Sequence, residues 1–404
     1  MHLVPFVSSE DDCQLVDDFY SDAEYFRIEL RNWTKIENSF GQADKLWVDA
    51  GVDGIHHVLK ANGITKVVDG KTKKTVGGQW ASLFKGFRNF EEVATKQFVE
   101  KPSTSKVEEF IDDILDACHA LAPKAITVPQ LPHVSDVSRN KINWAFAKAT
   151  AQWKKKRKFN GALILPIILT NQEQLNLKGD RNKRITSADK SFQHANASGY
   201  WVVDSTMSDL DAAPIFQKKR FDGVLKFNSE LQEKLPKASP SIAGPYWGLN
   251  LISWAKGLVE HPAIGVGRTF QYHISGGIIT SSPKVRIAIP PLRRWAIHSK
   301  LKPWLVENVK NYDSASYAFE ELNALLKSYN NLGTKQAARR QIAKFYAEWY
   351  AKIEEVVPAG RKLALFQDFT AAYVLGNDFS KLPADEGSAK HPERVAEYFM
   401  MFCL

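Results

Sequence analysis

Short apolar runs alternate with longer segments of helical spacing through the middle of this chain. Residues 45–49 (Lys-Leu-Trp-Val-Asp) form the first such run and end at Ala50-Gly51. Residues 107–121 follow as an amphipathic helix, with Phe110, Ile114, Leu115 and Cys118 at helical spacing and Pro123 just beyond. Further strands are predicted at 125–129, 162–169, 200–204, 241–244, 263–267 and 285–289, and helices at 140–156, within 214–235 and at 247–259. Such an alternation implies parallel strands joined by helical crossovers. Six or seven units, with no dinucleotide fingerprint after the first strand, favour a closed barrel over an open sheet. The fold expected is therefore α/β, a (β/α)8 TIM-like barrel over residues 1–310. From about Asp313 the spacing is helical throughout, at 316–328, 334–357, 362–374 and 392–401. This predicts a helical C-terminal region, residues 311–404, packed on the barrel.

Composition narrows the function classes. No apolar run approaches the roughly 20 residues that span a bilayer, so no membrane partner is expected. The opening Met1-His2-Leu3-Val4-Pro5 lacks the basic-then-apolar pattern of a secretory leader. The three cysteines, Cys13, Cys118 and Cys403, are too scattered for a disulfide framework or a metal clip, and suit buried thiols in a reducing cytoplasm. The net charge is +9 although residues 10–53 are acidic, so the remainder is strongly basic. A basic body suits a polyanionic partner, and nucleic acid is the one expected.

In a parallel barrel the active site lies at the C-terminal ends of the strands, so the polar residues that end each apolar run are the candidates. Asp49 follows Trp47-Val48, and Asp204 follows Trp201-Val202-Val203. A carboxylate there is costly to desolvate unless paired or used, and two carboxylates around a sugar suit glycosidic chemistry. The bland alternative is that each aspartate caps the next helix. Gln130, Asn171, Asn250 and His273 stand at equivalent positions and would read a base or sugar. Tyr246 and Tyr272, in loops, would stack on a base, although core packing uses such rings equally well. Residues 178–184 (Lys-Gly-Asp-Arg-Asn-Lys-Arg) look like a flexible basic loop on the catalytic face. Lys178, Arg181, Lys183, Arg184 and Arg268 are the candidate phosphate contacts. The basic run 154–158 ends a helix that leads into a strand, which puts it on the opposite face. His56-His57 have no partners at metal-ligand spacing, so neither a metal nor a cofactor is expected. No Gly-x-Ser-x-Gly elbow occurs.

The order of these motifs resembles the tRNA-guanine transglycosylase superfamily, including its DNA-acting deazaguanine branch. Val48-Asp49-Ala50-Gly51-Val52 is similar to the family's Asp-Ser-Gly-Gly-Phe element, with Asp49 in the place of the aspartate. Ile167 to Gln172 occupies the slot of a Val-Gln-Gly-like element, and Gly199 to Asp204 that of a Gly-Gly-Leu element. The resemblance covers residues 40 to 295. It implies a barrel enzyme acting at an N-glycosidic bond in nucleic acid, DNA in preference to tRNA, on a modified base such as antiviral defence would target. The family's zinc-binding cysteines have no counterpart here, and no carboxylate follows Gly265-Val266-Gly267 or Ile289-Pro290-Pro291, where its nucleophile belongs. Cleavage completed by water, which needs one carboxylate plus base-binding groups, is then expected, with exchange at the bond as the alternative. A barrel enzyme for a small sugar or nucleotide, and a non-catalytic nucleic-acid-binding protein, are the rival readings.

Overall fold

The computed structural model describes residues 1–61, 65–68, 72–75, 79–132, 138–170, 173–206, 214–246, 250–266, 272–275, 285–310, 316–378 and 400–404. Eight strands close into a parallel barrel in sequence order: β1 (Val4–Val7), β2 (Phe26–Glu29), β3 (Leu46–Asp49), β4 (Ala125–Thr127), β5 (Ala162–Leu169), β6 (Gly199–Asp204), β7 (Ser241–Ala243) and β8 (His261–Gly265). The seam is β1 against β8, with Val4 beside Ala263 and Phe6 beside Gly265. The crossover helices cover the outside. Thr104–His119 shows why: Val107, Phe110, Ile111, Ile114, Leu115 and Cys118 are buried at helical spacing.

The barrel interior is packed rather than open. Phe6, Trp47 and Trp201 meet edge to face across it, with ring centroids 5.4 to 6.1 Å apart. Both of these indole N–H groups have a partner: Trp47 Nε1 donates to Thr127 Oγ1 at 2.9 Å and Trp201 Nε1 to the Gly244 carbonyl at 2.7 Å. Side chains alternate along a strand. With Trp47 inward, Asp49 is inward as well, and Arg27 joins the same layer, stacked over Phe6 and Trp201.

Two strand expectations are corrected. The barrel opens with β1 and β2, which lie before the first strand expected from sequence. Residues 285–289 are not a barrel strand: Arg286–Ile289 pairs antiparallel with Arg294–Ile297, outside the barrel. Barrel closure is complete at His261–Gly265, so Ile287 and Ile289 find their apolar partners elsewhere. They join Leu292, Leu301, Leu322 and Leu325 in a separate cluster beside the C-terminal helices.

Those helices run Tyr317–Ser328, Lys335–Glu354 and Pro358–Asp378. Ser316 and Thr334 cap the first two, each accepting from a backbone N–H three residues on. The expected helix at 392–401 lies almost wholly outside the described residues. The Lys335–Glu354 helix docks on the first crossover. Buried Arg339 pairs with Asp12 and reaches Asp11 at 2.8 Å, Arg340 pairs with Asp18, and the Tyr20 hydroxyl donates to the Ala343 carbonyl at 2.7 Å. Among the described residues no helix is long and apolar enough to cross a membrane.

Candidate active site at the barrel mouth

The turn after β3 brings the charged groups together. Asp49, the last residue of the strand, is buried, and its oxygens are taken by neighbours. Oδ2 accepts from Arg27 Nε at 3.0 Å and from Arg27 Nη2, and Oδ1 accepts from the Gly51 N–H at 3.0 Å. Arg27 also faces Glu29 at 3.6 Å, and Glu29 holds Arg31 at 2.5 Å. The guanidinium lies 4.4 Å from the Phe6 ring centroid, 4.8 Å from Trp201 and 5.8 Å from Tyr272. Burial works against its charge, but Asp49 and then Glu29 outweigh it and hold the guanidinium firmly protonated.

Gly51 permits the turn. Its φ of +70° is left-handed, and a Cβ there would stand 3.0 Å from Ser275 Oγ. Gly54 is tighter, since a Cβ would meet the Trp80 ring at 2.4 Å and the Ser275 carbonyl at 2.6 Å. These gaps admit Tyr272–Ser275, the segment after β8, against the β3 turn. Asp53 fastens the two: Oδ2 accepts from the Tyr272 hydroxyl and from the Ser275 N–H at 3.0 Å. His57 Nε2 lies 3.3 Å from the Ile274 carbonyl, and Trp80 Nε1 donates to the Gly51 carbonyl at 2.7 Å.

Asp53 is 3% exposed, and its Oδ1 has no hydrogen-bond partner among the described residues. Burial, then the charge of Asp49, push its carboxyl up to about 6, against the opposing pull of the Tyr272 and Ser275 donors. The mouth thus holds one carboxylate tied to a guanidinium and a second carboxyl whose proton affinity is raised by burial and by the charge of Asp49.

The other sequence candidates divide. Asp204 ends β6 at the same end of the barrel, and its Oδ1 accepts from Thr206 N at 2.7 Å and Thr206 Oγ1 at 2.9 Å. Strand alternation sets it on the side opposite Trp201, while Asp49 shares the inward side of Trp47. Tyr246 is fully buried and donates to the Val202 carbonyl at 2.7 Å, so it braces β6 rather than offering a stacking face. Tyr272 is buried against Trp201 and bound to Asp53. Gln130 is buried and donates to the Pro129 and Asn143 carbonyls. Asn250 Nδ2 donates to the Ala263 carbonyl at 2.5 Å. His273 is exposed. Asn171 and Arg268 lie outside the described residues.

The basic segment 178–184 is a correction. It is the first two turns of the Lys178–Ala195 helix, not a flexible loop. Ile185, Ala188 and Ala195 give that helix an apolar face, and two of its basic residues serve structure. Arg181 is buried, paired with Glu230 at 2.7 Å and bonded to the Leu175 carbonyl. Arg184 is buried too, while Lys178 and Lys183 are exposed. The run 154–158 ends the Ser138–Arg157 helix that leads into β5, where Lys156 pairs with Asp112 and Arg157 with Asp116.

Arg27, Glu29 and Asp53 were not among the sequence candidates. The cue that could have found them is the strict alternation Phe26-Arg27-Ile28-Glu29, together with the need of a buried Asp49 for a cation. Among the described residues no three His, Cys, Asp or Glu side chains group as metal ligands. Compared with protein-family models and with curated proteins, the chain matches none.

Proposed function

We propose that this barrel is a glycosidase of nucleic acid, hydrolysing the N-glycosidic bond of a modified base in DNA, with Asp53 as its proton-transferring carboxyl. The observation that carries the reading is the pair Asp49 and Asp53. They are two carboxyl groups at one barrel mouth, and their surroundings treat them differently: one is ion-paired, the other buried with its proton affinity raised to about 6. That division of labour suits glycosidic chemistry, where one carboxyl protonates the leaving group and a second negative charge stabilises the cationic sugar. An entering base takes the place of Tyr272 at Asp53 Oδ2, and the carboxyl proton passes from there to the base nitrogen. The bond from the sugar carbon to the base nitrogen breaks, water adds at that carbon and returns a proton to Asp53, and Asp49, oriented by Arg27, faces the sugar as the second carboxylate. The target nucleotide leaves its stack to reach this depth. Exposed Lys178 and Lys183, on the helix that follows β5, give the backbone phosphates a place to rest.

The test is to incubate the chain with DNA carrying normal and modified bases and assay for abasic sites. Abasic sites that vanish in Asp53→Asn support the reading. Release of free sugar or base from nucleosides alone moves the substrate to the small-molecule class. DNA binding with no cleavage of any substrate ends the enzymatic reading.

A further inference from the structure

One outer flank of the barrel carries positive charge that the fold leaves unmatched. The Ser138–Arg157 helix contains no aspartate or glutamate over its 20 residues. Toward the Thr104–His119 helix its basic residues are matched: Lys156 lies 2.7 Å from Asp112, and Arg157 pairs with Asp116. The outward stripe differs. Lys141, Lys148 and Lys155 are exposed, and none of them meets a carboxylate among the described residues. Seven residues make two helical turns, so these side chains leave one face of the helix at intervals of about 10.5 Å.

The neighbouring Lys178–Ala195 helix continues the patch. Lys190 Nζ stands 3.6 Å from the centroid of the half-buried Trp144 ring, and Trp144 Nε1 donates to the Ser187 carbonyl at 3.3 Å. The lysine is thus held over the groove between the two helices. Both carboxylates of this second helix are engaged, Asp180 facing Lys183 at 3.6 Å and Asp189 facing Lys234 at 3.4 Å. His194 registers the crowding: burial, then the charges of Lys148 and Lys190, hold its imidazole below the ordinary pKa. Like charges gathered without counter-charge work against the compact state, so folding alone gives no reason for them.

The stripe also has a direction. The Ser138–Arg157 helix leads into β5, so its last turn lies away from the mouth and Lys141 lies toward it. Lys141 to Lys155 spans about 21 Å of helix. Among the described residues of this helix no large apolar side chain is exposed, so it lacks the apolar face that a helix lying on a membrane buries.

We infer that this face binds the sugar–phosphate backbone of nucleic acid, as the track along which the strand beyond the target nucleotide leaves the mouth. A row of cations at regular intervals meets the regular charges of a phosphodiester chain. The inference rests on the proposed function for its partner alone, since binding here needs no chemistry at Asp53.

The experiment is fluorescence anisotropy of the full chain with a labelled, unmodified DNA oligonucleotide, single-stranded and as a duplex, over a series of salt concentrations. One variant combines Lys141→Gln, Lys148→Gln and Lys155→Gln. A second removes the same charge from ion-paired lysines elsewhere, through Lys106→Gln, Lys226→Gln and Lys344→Gln. The first should bind about tenfold more weakly or worse at low salt, with a log–log salt slope shallower by roughly 2 to 3, as three lost phosphate contacts require. The second should bind as the wild type does. A loss confined to the single strand identifies a threaded strand, and a loss with the duplex as well identifies a duplex arm. Equal losses in the two variants would reduce the effect to net charge and overturn the inference. So would binding that the first variant leaves intact, no binding of DNA at all, or capture of phosphatidylserine vesicles in preference to DNA. Binding lost in the first variant, with no abasic site formed on any substrate by the wild type, would sink the proposed function and leave this surface standing.

Discussion

Arg27 reaches diagonally from β2 to Asp49 on β3, so the one guanidinium inside the barrel layer and the carboxylate at its rim form a single buried unit. Breaking one side of such a pair strands the other charge. Arg27→Met leaves Asp49 buried without its cation, while Glu29 keeps only Arg31, and a loss of about 3–5 kcal/mol in unfolding free energy is expected. Denaturant titration measures it. Arg27→Met combined with Asp49→Asn should recover part of the loss, because the double variant buries less uncompensated charge.

Asp53→Asn separates activity from stability. The carboxyl is raised from an ordinary 3.8 to about 6, so between those values the folded chain binds more protons than the unfolded one. Stability of the wild type therefore falls as pH rises through this window, with a slope of up to ~1.4 kcal/mol per pH unit from this group. The asparagine variant lacks that slope. Melting curves at pH 4 to 7 should show the variant gaining on the wild type toward neutrality while abasic-site formation disappears. Parallel curves would remove Asp53 as a titrating group.

Tyr272→Phe tests the same carboxyl from its partner. The hydroxyl donates to Asp53 and favours its charged form, so losing it pushes the Asp53 carboxyl higher. The limb of the pH–rate profile governed by Asp53 should move to higher pH, with the ring's contact on Trp201 preserved.

The basic residues at the start of the Lys178–Ala195 helix should behave in two classes. Lys178→Gln with Lys183→Gln should change stability by less than about 0.5 kcal/mol. The same pair should lower the log–log salt slope of nucleic-acid binding by roughly 0.7 to 0.9 per lost phosphate contact. Arg181→Ala should instead lower the melting temperature, since it strands Glu230 and the Leu175 carbonyl. A salt slope unchanged in the lysine variant would place the nucleic acid elsewhere.

The barrel was legible where its strands are apolar on both faces. Ala162–Leu169 and Gly199–Asp204 are covered by helices outside and by packed rings inside, and read as continuous hydrophobic runs. Phe26–Glu29 was not legible, because its inward positions carry Arg27 and Glu29, whose mutual neutralisation is a fact of three dimensions. Val4–Val7 is short and contains Pro5. The hairpin at Arg286–Ile289 has the apolar content of a barrel strand, and only the closure of eight earlier strands excludes it. At the site, Asp49 was found from its position after an apolar run. Asp53 escaped because it lies in the turn beyond, and what marks it is the contact with Tyr272, 219 residues away in sequence.

The buried bond from Arg339 to Asp12 joins residues 327 apart, and β1 also waits for β8 as its second neighbour. β1 is thus made long before the neighbour that completes its pairing. At about 5–20 residues per second, roughly 15 to 65 seconds separate the synthesis of Asp12 from that of Arg339. Val4 and Phe6 wait for their seam until His261–Gly265 is made, and the acidic first helix waits for the whole interval. Until then the carboxylates of Asp11, Asp12 and Asp18 stand without the Arg339 and Arg340 guanidiniums that pair with them in the fold, and the first crossover helix cannot dock.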